Sequence, residues 1–277
     1  MRSPPQPSAE APRELAAPAV IEMQEVSKAY GPFAALQGLS LSVPAGSVFA
    51  LLGASGAGKT TAIKILLNIL SASSGTVRIL GVESSAIGPA ELAQIGYVSE
   101  NQSLPARLEV RQFFEYVRAA YPTWDRDLEE SLREQLRLPP KRKIGELSHG
   151  MRLKMALACA LPFRPKLLVL DEPLSGLDAL ARDEIIGGFL QQAGRMSILI
   201  SSHELDEVER FATHVAFLHE GRLLFQGTVA ALGEHALPLL RSAGDKGLER
   251  VSLRRIFVAM VGAAAMARRQ SPAGRGG

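Results

Sequence analysis

Residues 47–70 read SVFALLGASGAGKTTAIKILLNIL, and this stretch decides the fold. Ser47 to Leu52 is a near-continuous apolar run of strand length, the pattern of a strand buried on both faces. It runs into Gly53-Ala54-Ser55-Gly56-Ala57-Gly58-Lys59-Thr60, which matches GxxxxGK[ST]. From Thr60 the apolar spacing turns helical, with Ile63, Leu66, Leu67 and Leu70 on one stripe. Strand, glycine loop and helix in this order are the context in which that pattern cradles phosphate. The glycines let backbone N–H groups converge on phosphate oxygens, and the helix N-terminus adds a partial positive charge. Lys59 is placed to reach the β and γ phosphates, and the Thr60 hydroxyl to ligate Mg²⁺. A turn that merely joined strand to helix would explain neither residue.

Upstream, Leu39, Leu41 and Val43 alternate with Ser40 and Ser42, so Val20 to Val43 reads as short strands with one wet face. Downstream, Thr76–Leu80 and Ile95–Ser99 read as strands. A helical stretch follows: Val110, Phe113, Phe114, Val117 and Tyr121 form one stripe that Pro122 stops, and Leu128, Leu132 and Leu136 form a second. A third helix begins near Ser148, with Met155, Leu157, Ala158, Ala160 and Leu161 packed around the single cysteine, Cys159. Strands Leu167–Leu170 and Ser197–Ser201 flank a helix over about 181–193, and His214–Leu218 turns at Glu220-Gly221 into Arg222–Gln226. The pattern predicts an α/β protein. A mostly parallel sheet forms its core, with an antiparallel β layer and a helical layer appended or inserted.

Leu167-Leu168-Val169-Leu170-Asp171-Glu172 supplies a second half to the phosphate loop. Two carboxylates at the end of a doubly buried strand are costly unless a cation or a reacting water meets them there. Asp171 is placed to hold Mg²⁺, and Glu172 to polarise the water that attacks a γ-phosphate. Together the two motifs predict a Mg²⁺-dependent nucleoside triphosphatase.

Composition narrows the setting. With 277 residues the chain can bury a large core, and 31 Lys+Arg against 28 Asp+Glu is too small an excess to argue a nucleic-acid partner. One cysteine excludes an internal disulfide and a cysteine-cluster zinc site, and fits a reducing compartment. The first twenty residues hold five prolines and no apolar run of signal-peptide length, so residues 1–19 read as a disordered leader. The uncharged run Ile256–Ala267, fenced by arginines, has twelve residues, short of the roughly 20 that a spanning helix needs, and reads as a docked helix.

Leu147-Ser148-His149-Gly150-Met151, just before the Asp-Glu strand, and Leu174-Ser175-Gly176-Leu177-Asp178, just after it, narrow the family. In order and spacing the chain resembles the ATP-binding subunit of ABC transporters, over roughly residues 20–228, with LSGGQ read as LSHGM and the SGLD loop intact. His149 stands where that family usually has Gly, and Met151 where it has Gln. Ser148 is a good N-cap, so the helix behind it offers an anion site of its own. The resemblance implies that Ser148 and Gly150 touch the nucleotide of an opposite subunit, with two ATPs held between two chains. It implies that His203 acts as the switch histidine on the γ-phosphate and attacking water, and that Tyr30 stacks on adenine. Nucleotide contacts extend over Gly53, Ala54, Ser55, Gly56, Ala57, Gly58, Lys59, Thr60 and Thr61. At the family's glutamine near Mg²⁺ the chain offers Glu100, with Gln102 two residues later, and either can serve.

The resemblance further implies an ATPase domain at 20–232, with a helical subdomain inserted at about 103–162 and a C-terminal extension at 233–277. Pro122-Thr123-Trp124-Asp125 and Ser252–Val258 look like features of ATPases from bacterial efflux-type systems. The implied function is an ATP-hydrolysing motor, cytoplasmic and peripheral on the inner face of the cell membrane. It would be paired with a second ATPase subunit and drive a separate transmembrane permease. Two rivals are a non-transport ABC ATPase acting on ribosomes or DNA, and a catalytically weak regulatory partner. One phosphate loop and no heptad array oppose the first, and intact Lys59, Asp171, Glu172 and His203 oppose the second.

Overall fold

A computed structural model describes residues 18–192, 196–242 and 252–270; the expected disordered leader lies almost wholly outside them. In chain order the elements are β1 (Ala19–Tyr30), β2 (Phe33–Pro44), β3 (Val48–Leu52), α1 (Lys59–Leu66), β4 (Ser74–Ile79), β5 (Val82–Glu83), α2 (Pro89–Leu92) and β6 (Ile95–Ser99). Then come α3 (Val110–Arg118), α4 (Arg126–Gln135), α5 (His149–Ala160), β7 (Leu167–Asp171), α6 (Ala179–Gln192), β8 (Ser197–Ser202) and α7 (Leu205–Val208). The described chain closes with β9 (His214–His219), β10 (Arg222–Thr228), α8 (Val229–Ser242) and α9 (Leu253–Gln270).

Six strands form one sheet in the order β10-β9-β3-β8-β7-β6, all parallel except the antiparallel edge pair β9–β10. The neighbouring strands β6, β7, β8 and β3 therefore end on the same side. Register places Ser99 beside Asp171, Asp171 beside Ser201, and Leu52 beside Ser202. The apolar run at β3 has its reason here. Phe49 and Leu51 point into the core shared with α1 and the second sheet, while Val48, Ala50 and Leu52 point into the opposite core with α5, α6, α8 and α9. Both faces are dry, so no alternation is needed.

The second sheet is antiparallel, in the order β2-β1-β4-β5. Residues 20–43 hold two twelve-residue strands rather than several short ones. Register shifts near Val26 and Lys28 keep the long β1–β2 pair bent over the core, and that bending interrupts the simple alternation. Two helical stripes are also shorter than their apolar spacing. α1 ends at Leu66, Asn68 takes a left-handed conformation, and Leu70 packs from the turn beyond. α3 ends at Arg118, because Tyr121 leaves the helix before Pro122 and stacks its ring on Phe163 at 4.1 Å.

The helices α3, α4 and α5 enclose a third core around Phe114, Leu132, Ile144, Met155 and Cys159. Burying a ring such as Phe114 completely stabilises by roughly 1.5–3 kcal/mol. Burial pushes the Cys159 thiol far up, so it stays protonated there. α9 docks as its composition predicts: Leu253, Ile256 and Met260 are buried in the main core, and Phe257 meets Phe217 with ring centroids 5.2 Å apart. α8 runs unbroken across position 232, where the sequence suggested that the ATPase domain ends. No helix among the described residues is long and apolar enough to cross a membrane.

Candidate active site

The glycine loop leaves the carboxyl end of β3 and enters α1 through Gly58, whose φ of 108° an L side chain rarely adopts. A Cβ there would meet Ala35 O at 2.6 Å, and one at Gly53 would meet Leu218 O at 2.3 Å. These two glycines let the loop press against the β2 and β9 backbones. At Gly56 a Cβ would meet nothing within 4 Å, because that side of the loop faces an open cavity of about 560 Å³. The cavity is lined by Tyr30 and Phe33, by the loop from Ser55 to Thr61, and by Glu100, Glu172, Ser175 and His203.

Lys59 lies folded along the loop, 5% exposed. Its Nζ donates to Gly53 O at 2.7 Å and Ala54 O at 3.1 Å and sits 3.0 Å from Glu172 Oε1. The second Glu172 oxygen, Oε2, accepts from His203 Nδ1 at 2.7 Å and from the His203 backbone N–H at 3.3 Å. Since a carboxylate only accepts, Nδ1 carries the proton and Nε2 is left to face the cavity chemistry. Glu172 reaches this place through a left-handed backbone, φ 53°, an arrangement costing about 1 kcal/mol or more for a non-glycine residue. Its N–H is held by Ser201 O at 3.2 Å and Ser201 Oγ at 3.0 Å.

Asp171 sits one residue deeper, 3% exposed. Its Oδ1 accepts from Thr60 Oγ1 at 3.1 Å and from Ser201 Oγ at 2.6 Å. Both donors are hydroxyls, and no cation pairs with it among the described residues. A buried carboxylate and the Thr60 hydroxyl beside an adjoining cleft are hard oxygen donors that fit Mg²⁺, which favours a few protein oxygens with phosphate and water completing its shell. No cluster of three or more His, Cys, Asp or Glu among the described residues forms a metal cage of the protein's own.

The structure thus brings together Tyr30, the loop 55–61, Glu100, Asp171, Glu172 and His203. The two candidates at the family's glutamine position lie close together. Glu100 lines the main cavity, its N–H tied to Asp171 O at 3.0 Å, and both Glu100 and Gln102 line the adjoining cleft that holds Thr60, Asp171 and Glu172. Ser148 and Gly150 stand apart. Ser148 caps α5, accepting from Met151 N–H at 3.2 Å, and neither residue borders the cavity. Four cavity or support residues escaped the sequence reading, among them Ala35 of β2. Ser201 looked like one polar end of an apolar strand, and only its register beside Asp171 reveals its two contacts. Phe33 and Ser175 read as a turn neighbour and a loop residue.

A model of the ABC transporter family matches residues 36–175, half of the chain. The chain belongs to the ABC transporter family. Within that family it is 32% identical over 206 residues to the ABC transporter ATP-binding protein YtrB of Bacillus subtilis (strain 168), a match spanning 74% of this chain and 70% of YtrB. It is 33% identical over 211 residues to the lantibiotic transport ATP-binding protein SrtF of Streptococcus pyogenes, over 75% and 90% of the two chains. A solved structure titled as the ATP binding subunit of an ABC transporter superposes with a TM-score of 0.75 at 27% identity, over 87% of this chain and 99% of that one. The parallel core, antiparallel sheet and helical layer are those of an ABC cassette, and the chain is a nucleotide-binding subunit of the family. A role on ribosomes or DNA is not favoured by these relatives.

Proposed function

We propose that this chain is the ATP-hydrolysing motor subunit of an ABC transporter, working in a pair beneath a separate membrane-spanning permease on the inner face of the cell membrane. The observation that carries the reading is Glu172, held between Lys59 and His203 in the cavity lined by the phosphate loop. Tyr30, 47% exposed, offers its ring to the adenine, and the loop N–H groups from Ser55 to Thr61 hold the phosphates. Lys59 exchanges its loop carbonyls for phosphate oxygens and so releases one side of Glu172. Glu172 then accepts a proton from the attacking water while His203 Nδ1–H keeps its carboxylate oriented. Mg²⁺, when bound, adds positive charge to the phosphate oxygens, and Thr60, Asp171 and Glu100 are the residues that would hold it. Ser148 and Gly150 face the nucleotide of the second subunit. The catalytic division runs over 20–232, the helical insert at about 103–162 passes motion to the permease, and residues 233–277 are an appended segment.

The test is turnover per chain as the purified full-length protein is diluted, with oligomeric state followed by light scattering. Loss of turnover as the pair dissociates is expected, and constant turnover in a proven monomer overturns the paired site. Copurification with a membrane protein of about six apolar spans, with transport lost in Glu172→Gln, is the matching result for the permease.

A further inference from the structure

The start of α5 is tied to the loop that follows Glu172 by a residue where the family pattern has glycine. His149, half-buried at the first position of α5, points its Nε2 at Ser175 O, 3.2 Å away. A carbonyl only accepts, so His149 donates. Ser175 is not a bystander: its N–H reaches back to Glu172 O at 3.3 Å, and the residue walls the nucleotide cavity alongside Glu172 and His203. The neighbouring Gly150 lies close to the same region without a side chain to link it, since a Cβ there would meet Leu177 Cδ2 at 3.4 Å and Ala181 Cβ at 3.6 Å. Further along, Lys154 of α5 pairs with Glu184 of α6. A glycine at 149 would have no reach across this gap and would leave the helix start free to shift against the loop.

We propose that His149 is a positioning residue that makes Ser148 sense the nucleotide in its own chain's cavity. The proposal rests on the paired site described above. In that pair Ser148 serves the other chain's ATP, so a strut from Ser175 to the start of α5 links the two cavities through each subunit. Filling one cavity sets Ser175, Ser175 sets His149, and His149 sets the Ser148 hydroxyl and the N–H groups behind it for the opposite nucleotide. The two ATPs are then bound and hydrolysed cooperatively, with the coupling carried by one side-chain hydrogen bond on each chain.

The experiment measures steady-state ATP turnover against ATP concentration in the full-length wild type, His149→Phe and His149→Gln, with melting temperatures recorded for each. Phe keeps the ring volume and removes the donor, and Gln restores an N–H. The wild type is expected to give a Hill coefficient above one. His149→Phe is expected to bring it to one and to lower kcat by roughly two- to tenfold with KM little changed, and His149→Gln to recover part of both. A purely structural role would lower the melting temperature and turnover together and leave the Hill coefficient alone. A wild type without cooperativity, a His149→Phe that keeps the wild-type Hill coefficient, or a Gln variant no better than Phe overturns the proposal. Each variant is also placed in the Glu172→Gln background and tested for an ATP-dependent dimer. Absence of the dimer in Glu172→Gln alone removes the paired site and this inference with it, while a normal dimer with unchanged cooperativity removes the His149 inference only.

Discussion

Glu172 at the end of β7 and Glu129 in α4 are both carboxylates drawn out of water and faced by basic side chains, yet their surroundings differ in kind. Glu129 is 3% exposed and saturated. Arg118 grips it with two parallel bonds, Nε to Oε2 at 3.0 Å and Nη2 to Oε1 at 2.9 Å, and Trp124 Nε1 donates to Oε2 at 2.7 Å. Glu172 has one side-chain contact each from Lys59 and His203, a backbone N–H from His203, a left-handed backbone and an open cavity beside it. Forked, planar pairing fixes the helical layer against its core, because exchanging one partner would strand a buried charge. Single contacts from a flexible ammonium and an imidazole can be traded for phosphate and water. The same residue type is structural where its lone pairs are filled and chemical where space has been left next to them.

That contrast can be broken by substitution, and the largest effect is expected at Glu172. Glu172→Gln should cut ATP turnover by roughly 10²–10⁴-fold with little change in melting temperature, measured as phosphate release from the folded protein. If turnover survives, Glu172 is not the base. Glu129→Ala should do the reverse. It leaves Arg118 and Trp124 without their acceptor, and denaturant unfolding should show a loss of about 3–5 kcal/mol; wild-type stability would mean the forked pair holds nothing.

Ser201→Ala tests the support beneath the active carboxylates. Asp171 loses its 2.6 Å donor and the Glu172 N–H loses one of its two acceptors. A destabilisation of about 1–3 kcal/mol is expected, with turnover falling alongside, by chemical denaturation and phosphate release on the same sample. The smallest effect lies beside Glu129. The Asp125 carboxylate caps α4, and the Leu128 N–H, followed by Arg164, holds it below the ordinary 3.8. Its contribution is therefore complete above that value and is lost as pH falls through the lowered one. The melting-temperature difference between wild type and Asp125→Asn should shrink on acidification below about pH 4, and a difference that stays constant would remove the charge from the cap.

Phosphate loop, Asp-Glu strand and family pattern were legible in the sequence because each is local: a few residues at fixed spacing, whose chemistry needs no distant partner to be named. Tyr30 and His203 were legible only through resemblance, since alone an aromatic at a strand end and a histidine at a helix start have ordinary readings. Ser201, Phe33 and the His149–Ser175 contact were not legible. Each depends on packing between elements that are not neighbours in the chain: Ser201 meets Asp171 across β8 and β7, Phe33 reaches the cavity from the second sheet, and His149 meets a loop 26 residues further on.

Local pattern alone therefore determined that this is an α/β nucleotide-binding chain with a lysine, a threonine and two carboxylates for phosphate chemistry. The fold decided which side chains meet: that Ser201 lies beside Asp171, that Glu172 turns through a strained backbone to stand between Lys59 and His203, and that Ser148 does not line its own chain's cavity. The reason is physical. Spacing along a chain sets what a segment can be, but hydrogen bonds and ion pairs act over about 3 Å, and only packing of the sheets and helices brings distant residues within that reach.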